Sequence, residues 1–323
     1  MQKLSLGPAS NALRATRIAY GCMPLGGSWD NAPLESEVTK RAVRSVAAAL
    51  EAGIDFFDHA DIYCRGKSES VFAAAIAELG VKRSNIWLQS KCGIRFAGDG
   101  APDAPHRFDF SYEHIVRSAE QILKRLNTDY LDVLLLHRPD PLVEPDEVAR
   151  AFDELATSGK VRHFGVSNHT AVQMELLARS LRQPLITNQL QLSLVHSHLL
   201  DAGIAMNQGK TATGADGLLD YCRLRGITVQ AWGPLASGRA LGSDDDERSL
   251  ALRQLITRLA EKKGVALEAI PIAWLLRHPA GIQPVVGTTD PARIRAAASG
   301  DGVELSREEW YELYVAGRGE KLP

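Results

Sequence analysis

The sequence predicts an α/β protein, a (β/α)8 TIM barrel in a single domain, and three observations lead there. Strand-like apolar runs recur along all 323 residues and alternate with helical patterns. Such alternation builds a parallel sheet covered by helices. One run, LDVLLLH at 131–137, is almost continuously apolar, as a strand covered on both faces is. Eight candidate strands span the chain with no shift in composition and no Pro/Ser-rich linker. That favours one closed barrel over a doubly wound sheet, the competing architecture.

The first strand is read at 17–20, ahead of the glycine-rich GCMPLGG. Val43, Val46, Ala47 and Leu50 share one face of a helix, and Gly53 supplies a stop just past its end. The second strand is 55–58 and the third 86–91. Ile115, Ala119, Ile122 and Leu126 mark the helix that leads to the fourth, 131–137. A helix at 145–158 ends at Gly159, and 161–167 is the fifth strand. A helix at 172–181 precedes the sixth, 185–189. The seventh is 228–232, a helix follows at 248–262, and 284–286 is the eighth. Helices at 291–298 and 306–315 close the chain. Residues 2–14 are expected to form a small hairpin over the barrel bottom, within one domain spanning 1–323. The longest candidate loops, 93–110 and 195–214, are expected to shape substrate choice.

Composition excludes several function classes. Thirty-seven Lys and Arg against 39 Asp and Glu give a formal net charge of −2, with 45% hydrophobic and 24% charged residues. These are values of a folded soluble chain, not a disordered one. Near-neutral charge offers no long-range attraction to nucleic acid or an anionic membrane. No run approaches the ~20 apolar residues of a membrane-spanning helix, and the first ten residues lack a secretory signal's apolar core. Cys22, Cys64, Cys92 and Cys222 form no CxxC pair, which reads as reduced thiols in a cytoplasmic protein.

In a barrel of this kind chemistry gathers at the C-terminal strand ends. The second strand ends at Asp58, with Tyr63 five residues on; the third ends at Lys91, the fourth at His137. Singly, each has an ordinary explanation: a turn cap, a loop aromatic, a surface lysine, a core histidine. Together they form an acid–base set. A phenol is a poor acid near neutrality. A nearby ammonium is expected to lower its pKa. Lys91 can supply that charge, Asp58 can hold Lys91, and His137 can hydrogen-bond a substrate oxygen. Tyr63 would then be a general acid for a carbonyl that receives a hydride. The hydride must come from a cofactor.

The same residues carry a family resemblance. GIDFFDHADIYCRGKSE, the lysine of WLQSKCG, the histidine of LDVLLLHRPDP, GKVRHFGVSNH, TNQLQLS and AWGPLASGR occur in the order of the aldo-keto reductase signatures. The chain resembles the bacterial oxidoreductases of that superfamily over nearly its whole length. The resemblance implies Asp58, Tyr63, Lys91 and His137 as catalytic residues and NADPH as cofactor, with NADH as the alternative. It implies that Ser167, Asn168 and Gln189 hold the nicotinamide carboxamide and that the ring stacks on Trp232. Gly233, Pro234, Leu235 and Arg239 match the loop near the pyrophosphate, and Thr288, Thr289 and Arg293 match 2′-phosphate contacts. The chain departs from the better-known branch at Gly287, where that branch carries Lys, and at Ala296–Ala297, where it carries Glu-Asn. Asp290 adds an anion close to the expected phosphate. A further departure is the Cys64–Arg65 pair, where many members carry glycine.

Trp29 is a candidate substrate contact. The partner implied is a small carbonyl compound or its alcohol; oligomeric state leaves no mark in the sequence. G-x-G-x-x-G, P-loop, H-E-x-x-H and G-x-S-x-G motifs are absent. His196-Ser-His198 lacks partners at metal-ligand spacing and reads as loop histidines, so no metal is expected. Two other readings stay open. One is a reductase-like regulatory or binding subunit with little turnover. The other is an isomerase or aldolase using Lys91 as a Schiff base.

Overall fold

The computed structural model describes residues 1–204, 215, 217–244 and 246–323. Eight parallel strands close a barrel in chain order: β1 (Ala19–Gly21), β2 (Phe56–Asp58), β3 (Trp87–Cys92), β4 (Leu131–Leu136), β5 (Val161–Ser167), β6 (Leu185–Gln191), β7 (Thr228–Trp232) and β8 (Gln283–Val286). Val285 pairs with Ala19, so β8 closes on β1. Each strand is short and buried on both sides, which is why the sequence shows apolar runs rather than alternation.

The helices around the barrel are α1 (Ser36–Glu51), α2 (Lys67–Glu78), α3 (Tyr112–Leu126), α4 (Pro145–Thr157), α5 (Ala171–Ala178), α6 (His198–Ile204), α7 (Leu218–Arg225), α8 (Glu247–Lys263), α9 (Ala269–Leu276), α10 (Pro291–Ala298) and α11 (Arg307–Arg318). Their ends follow local chemistry. Gly53, at φ 83°, takes the left-handed turn just past α1. Thr170 with Gln173 and Ser306 with Glu309 form reciprocal capping boxes on α5 and α11.

Two strands, Lys3–Leu6 and Leu13–Thr16, pair antiparallel as a hairpin. Leu6, Leu13 and Ala15 pack with Ala19, Phe56, Val133, Leu135, Ile186 and Val285 inside the base of the barrel. Hydrophobic burial holds this plug, and polar contacts fix its register: Gly7 donates to Thr228 Oγ1 at 3.0 Å, and Thr16 to Asp55 Oδ1 at 2.8 Å. Where β5 meets β6, Gly165 leaves room that a methyl group would fill: a Cβ there would stand 2.7 Å from the Thr187 carbonyl oxygen.

The structure departs from the sequence reading at several elements. Helices α2, α7 and α9 have no counterpart in it. The reason is plainest for α9: residues 269–275 are all buried, so no polar face alternates with an apolar one. Residues 93–110 fold into a small hairpin, Ile94–Arg95 against Arg107–Phe108, fastened by an Arg95–Asp109 ion pair at 2.7 Å. Helix α6 occupies part of the loop expected at 195–214; residues 205–214 of that loop lie outside the described residues. Strand β6 runs on to Gln191 because Gln191 finds a ladder partner in Trp232. All four cysteines are buried free thiols. No described helix is long and apolar enough to cross a membrane.

Candidate active site

Barrel registers bring four titratable side chains to one end. Asp58 closes β2, Lys91 lies in β3, His137 follows β4 directly, and Tyr63 opens a short turn, Tyr63–Gly66. Lys91 is wholly enclosed. An ammonium has three donors and no acceptor. Those donors go to Asp58 Oδ2 at 2.8 Å, the His59 carbonyl at 2.8 Å and the Tyr63 hydroxyl oxygen at 2.9 Å. Tyr63 also meets the His137 ring edge-on, centroid to centroid 5.8 Å.

The electrostatics correct one expectation. Burial raises the Tyr63 pKa, and the opposing pull of Lys91 does not overcome it, so the phenol keeps its proton. Burial works against the Lys91 charge, yet Asp58 and Tyr63 together leave its pKa above the ordinary lysine value. Burial, aided by the Lys91 and Arg138 charges, holds His137 well below the usual imidazole range. The set therefore combines a neutral phenol, a fixed ammonium and a neutral imidazole.

Asp58, Tyr63 and His137 face a cavity of about 560 Å³ that runs across the barrel mouth, with Lys91 enclosed behind them. Its walls include Trp29, Ser167, Asn168, Gln189, Trp232, Gly233, Pro234 and Leu235, and it reaches Thr288 and Arg293. Asn168 is clamped there: its amide donates to Ser167 Oγ at 2.7 Å, and its carbonyl oxygen accepts from the Trp232 indole at 3.1 Å. Ser167 in turn donates to the Gln189 backbone carbonyl at 2.9 Å.

Two residues grouped with this set by sequence lie outside the cavity wall. Arg239 points to Asp244, Nε to Oδ2 3.0 Å. Thr289 lines a neighbouring recess, where its carbonyl accepts from Ser45. Arg293 does reach the cavity but its guanidinium is 3.3 Å from Glu268. The wall also contains Met23, Ile62, Ile94 and Arg138, which neither strand ends nor the resemblance single out. The cluster HRPD was a usable signal for Arg138, whose guanidinium stands 5.8 Å from the Trp232 ring. Asp140 instead accepts from the Phe110 and Leu142 backbone amides.

Backbone strain concentrates at the same rim. Five of the six described non-glycine residues with positive φ are Cys64 (47°), Arg65 (56°), Asn168 (61°), Ala236 (46°) and Ser237 (57°). Side chains enter the left-handed region at a cost, and such positions cluster at functional sites. Cys64–Arg65 is thus a left-handed turn built without glycine. The turn aims Arg65 at the loop walls: it donates to the Trp29 carbonyl at 2.9 Å and lies over Phe96.

The family model described as Aldo/keto reductase family matches residues 17–314. Uncharacterized oxidoreductase YcsN of Bacillus subtilis is 35% identical over 324 residues, covering 100% of both chains. A 6-dehydroglucose reductase of Agrobacterium fabrum is 34% identical over 323 residues, again covering 100% of both. Among solved structures, an aldo/keto reductase from Klebsiella pneumoniae in complex with NADP and acetate superposes with TM-score 0.73 at 25% identity, covering 96% of this chain and 94% of that one.

Proposed function

The chain belongs to the aldo/keto reductase family and is an oxidoreductase acting on carbonyl or alcohol groups, and we propose that it transfers hydride between NADPH and an aldehyde or ketone, with Tyr63 as general acid. The observation that carries this reading is the fully enclosed Lys91 bridging Asp58 and Tyr63 beneath the cavity.

The residues present suit a nicotinamide dinucleotide. Trp232, Asn168, Ser167 and Arg293 all line the cavity, and the Asn168 amide is fixed on Ser167 Oγ. When bound, NADPH supplies the hydride, which no side chain can. Ser167, Asn168 and Gln189 would hold the carboxamide, Trp232 the ring, and Thr288 with Arg293 the adenosine phosphate.

The chain's own residues handle the proton. Lys91 donates to the Tyr63 oxygen, so the phenolic proton is free to point at a carbonyl in the cavity. As the carbonyl oxygen gains charge, Tyr63 donates and the Lys91 ammonium stabilises the resulting phenolate. Neutral His137 can donate one N–H to the same oxygen and so orients the substrate. Asp58 keeps Lys91 charged and aimed. Lys91 with its donors committed and its charge reinforced is unsuited to a Schiff base, which needs a neutral amine.

The relative that acts as a 6-dehydroglucose reductase makes sugar aldehydes the first class to try. The test is NADPH oxidation at 340 nm across a panel of sugar aldehydes, aryl aldehydes and ketones. Turnover with at least one class is expected. Tight NADPH binding with no turnover on the whole panel would overturn the reading in favour of a binding role.

A further inference from the structure

A row of buried amides runs through the barrel interior to Asp58. Gln189, Gln230 and Gln283 are register partners on β6, β7 and β8, and Gln89 on β3 is the register partner of Asp58. All four glutamines are buried. Gln283 Nε2 donates to the Thr16 carbonyl at 2.6 Å, and Gln230 Nε2 donates to Gln283 Oε1 at 2.8 Å. Gln230 Oε1 accepts from two amides, Gln89 Nε2 at 2.8 Å and Gln189 Nε2 at 3.1 Å. The same two nitrogens also donate to Asp58 Oδ1, at 2.6 and 3.0 Å.

The direction of every amide is forced. A carboxylate and a peptide carbonyl only accept, and each amide nitrogen carries two hydrogens. Turning any one amide around would set oxygen against oxygen. A network of this kind is costly to bury unless connected and rigid once it is. Its outcome at the carboxylate is a division of labour: two amides hold Oδ1, and Oδ2 is left for Lys91 at 2.8 Å. Gln230 does not line the cavity, and the three Lys91 donors go to Asp58, His59 and Tyr63 rather than to Gln230.

We propose that Gln230, acting through Gln89 and Gln189, is a positioning residue that fixes the Asp58 carboxylate against Lys91. The proposal rests on the reading of Tyr63, Lys91 and Asp58 as the proton-handling set. Because Gln189 also lines the cavity, the row ties the cavity wall to the orientation of Asp58.

The test is Gln230→Leu, alone and in an Asp58→Asn background. Alone, kcat for carbonyl reduction should fall ~10-fold or more, since small misplacements of a reacting set carry penalties of that order. The NADPH Kd, read by fluorescence, should stay within ~2-fold, because side chains away from Gln230 set it. In the Asp58→Asn background the same substitution should change kcat by less than ~2-fold, because the anion the row serves is gone. Gln230→Glu, whose buried carboxyl stays protonated and keeps one donor and one acceptor, should recover most of kcat. A crystal structure of Gln230→Leu should show Asp58 turned away from Lys91. Equal losses in both backgrounds, or unchanged Asp58–Lys91 geometry in the crystal, would overturn the proposal. Should Gln230→Leu fail to fold, Gln89→Leu is read by the same criteria. A wild-type protein without turnover would sink the reductase reading alone, and the crystal comparison would still decide the role of Gln230.

Discussion

Lys91 donates to the Tyr63 hydroxyl oxygen at 2.9 Å, a direction an ammonium cannot reverse. In the proposed mechanism the phenolic proton is therefore the one passed on, and Tyr63 lines the cavity that would hold the carbonyl. The first prediction follows from that. Tyr63→Phe keeps the ring packed on His137 but removes the acid. Carbonyl reduction should fall ~10²- to 10⁴-fold, the usual contribution of a general acid. NADPH affinity should be nearly unchanged, as read by fluorescence titration. Near-normal turnover in this variant would contradict the role given to Tyr63.

Lys91→Met tests the buried pair as structure as well as chemistry. The substitution leaves Asp58, almost fully enclosed, without its cation. Removing one partner of a buried ion pair typically destabilises by ~3–5 kcal/mol. The donated amides of Gln89 and Gln189 should hold the loss to the lower end of that range. Urea unfolding measures it, and a cost under ~1 kcal/mol, the value of an exposed pair, would contradict the burial argument.

The pH dependence has a definite sign. With Tyr63 as the proposed general acid, reduction needs its phenol protonated, and burial raises that pKa above the phenol's ordinary value of about 10. Reductive kcat/KM for the free enzyme should thus stay flat through neutrality and decline only in strongly alkaline buffer. The reverse oxidation needs the phenolate and should rise with pH over the same range. His137, held neutral, should add no step near its ordinary value of about 6.5. Paired pH profiles in the two directions check this, and a reductive limb falling near neutrality would refute it.

With NADPH as the proposed cofactor, Asp290 is the residue that tests the choice of NADPH over NADH. Its carboxylate caps α10, accepting from Ala292 N at 2.8 Å and Arg293 N at 3.3 Å, and so occupies amides that an adenosine phosphate could use. Asp290→Asn keeps the cap and removes the charge. NADPH Kd should tighten ~3- to 10-fold at low salt, with NADH little changed and the gain shrinking as salt rises. An equal effect on both cofactors would show that the 2′-phosphate does not lie there.

Legibility in the sequence tracked the kind of physics involved. The eight strands were readable because a doubly covered strand must be apolar, and the strand ends then pointed to Asp58, Lys91 and His137. Ser167 and Trp232 also close strands, and Asn168 follows directly on the first of them. Arg239 was not separable from its neighbours, because the ion pair to Asp244 is made by a turn whose path depends on two positive-φ residues, Ala236 and Ser237. The sign of the Tyr63 shift is likewise not legible in the sequence, because desolvation depends on what closes over a residue.

Taken by itself, the sequence determined the barrel, the order of its strands and the residue types at its mouth, since these follow from local periodicity and from where each run stops. Tertiary structure alone decided which polar groups meet. Gln89, Gln189, Gln230 and Gln283 are scattered over 195 positions and resemble ordinary strand polars in the sequence. Only the closure of the barrel and the inter-strand registers join them into one row that ends on the Asp58 carboxylate through Gln89 and Gln189. Hydrogen bonds need ångström placement, which periodicity does not encode, and burial, which sets the protonation of Tyr63 and His137, is a property of the folded chain.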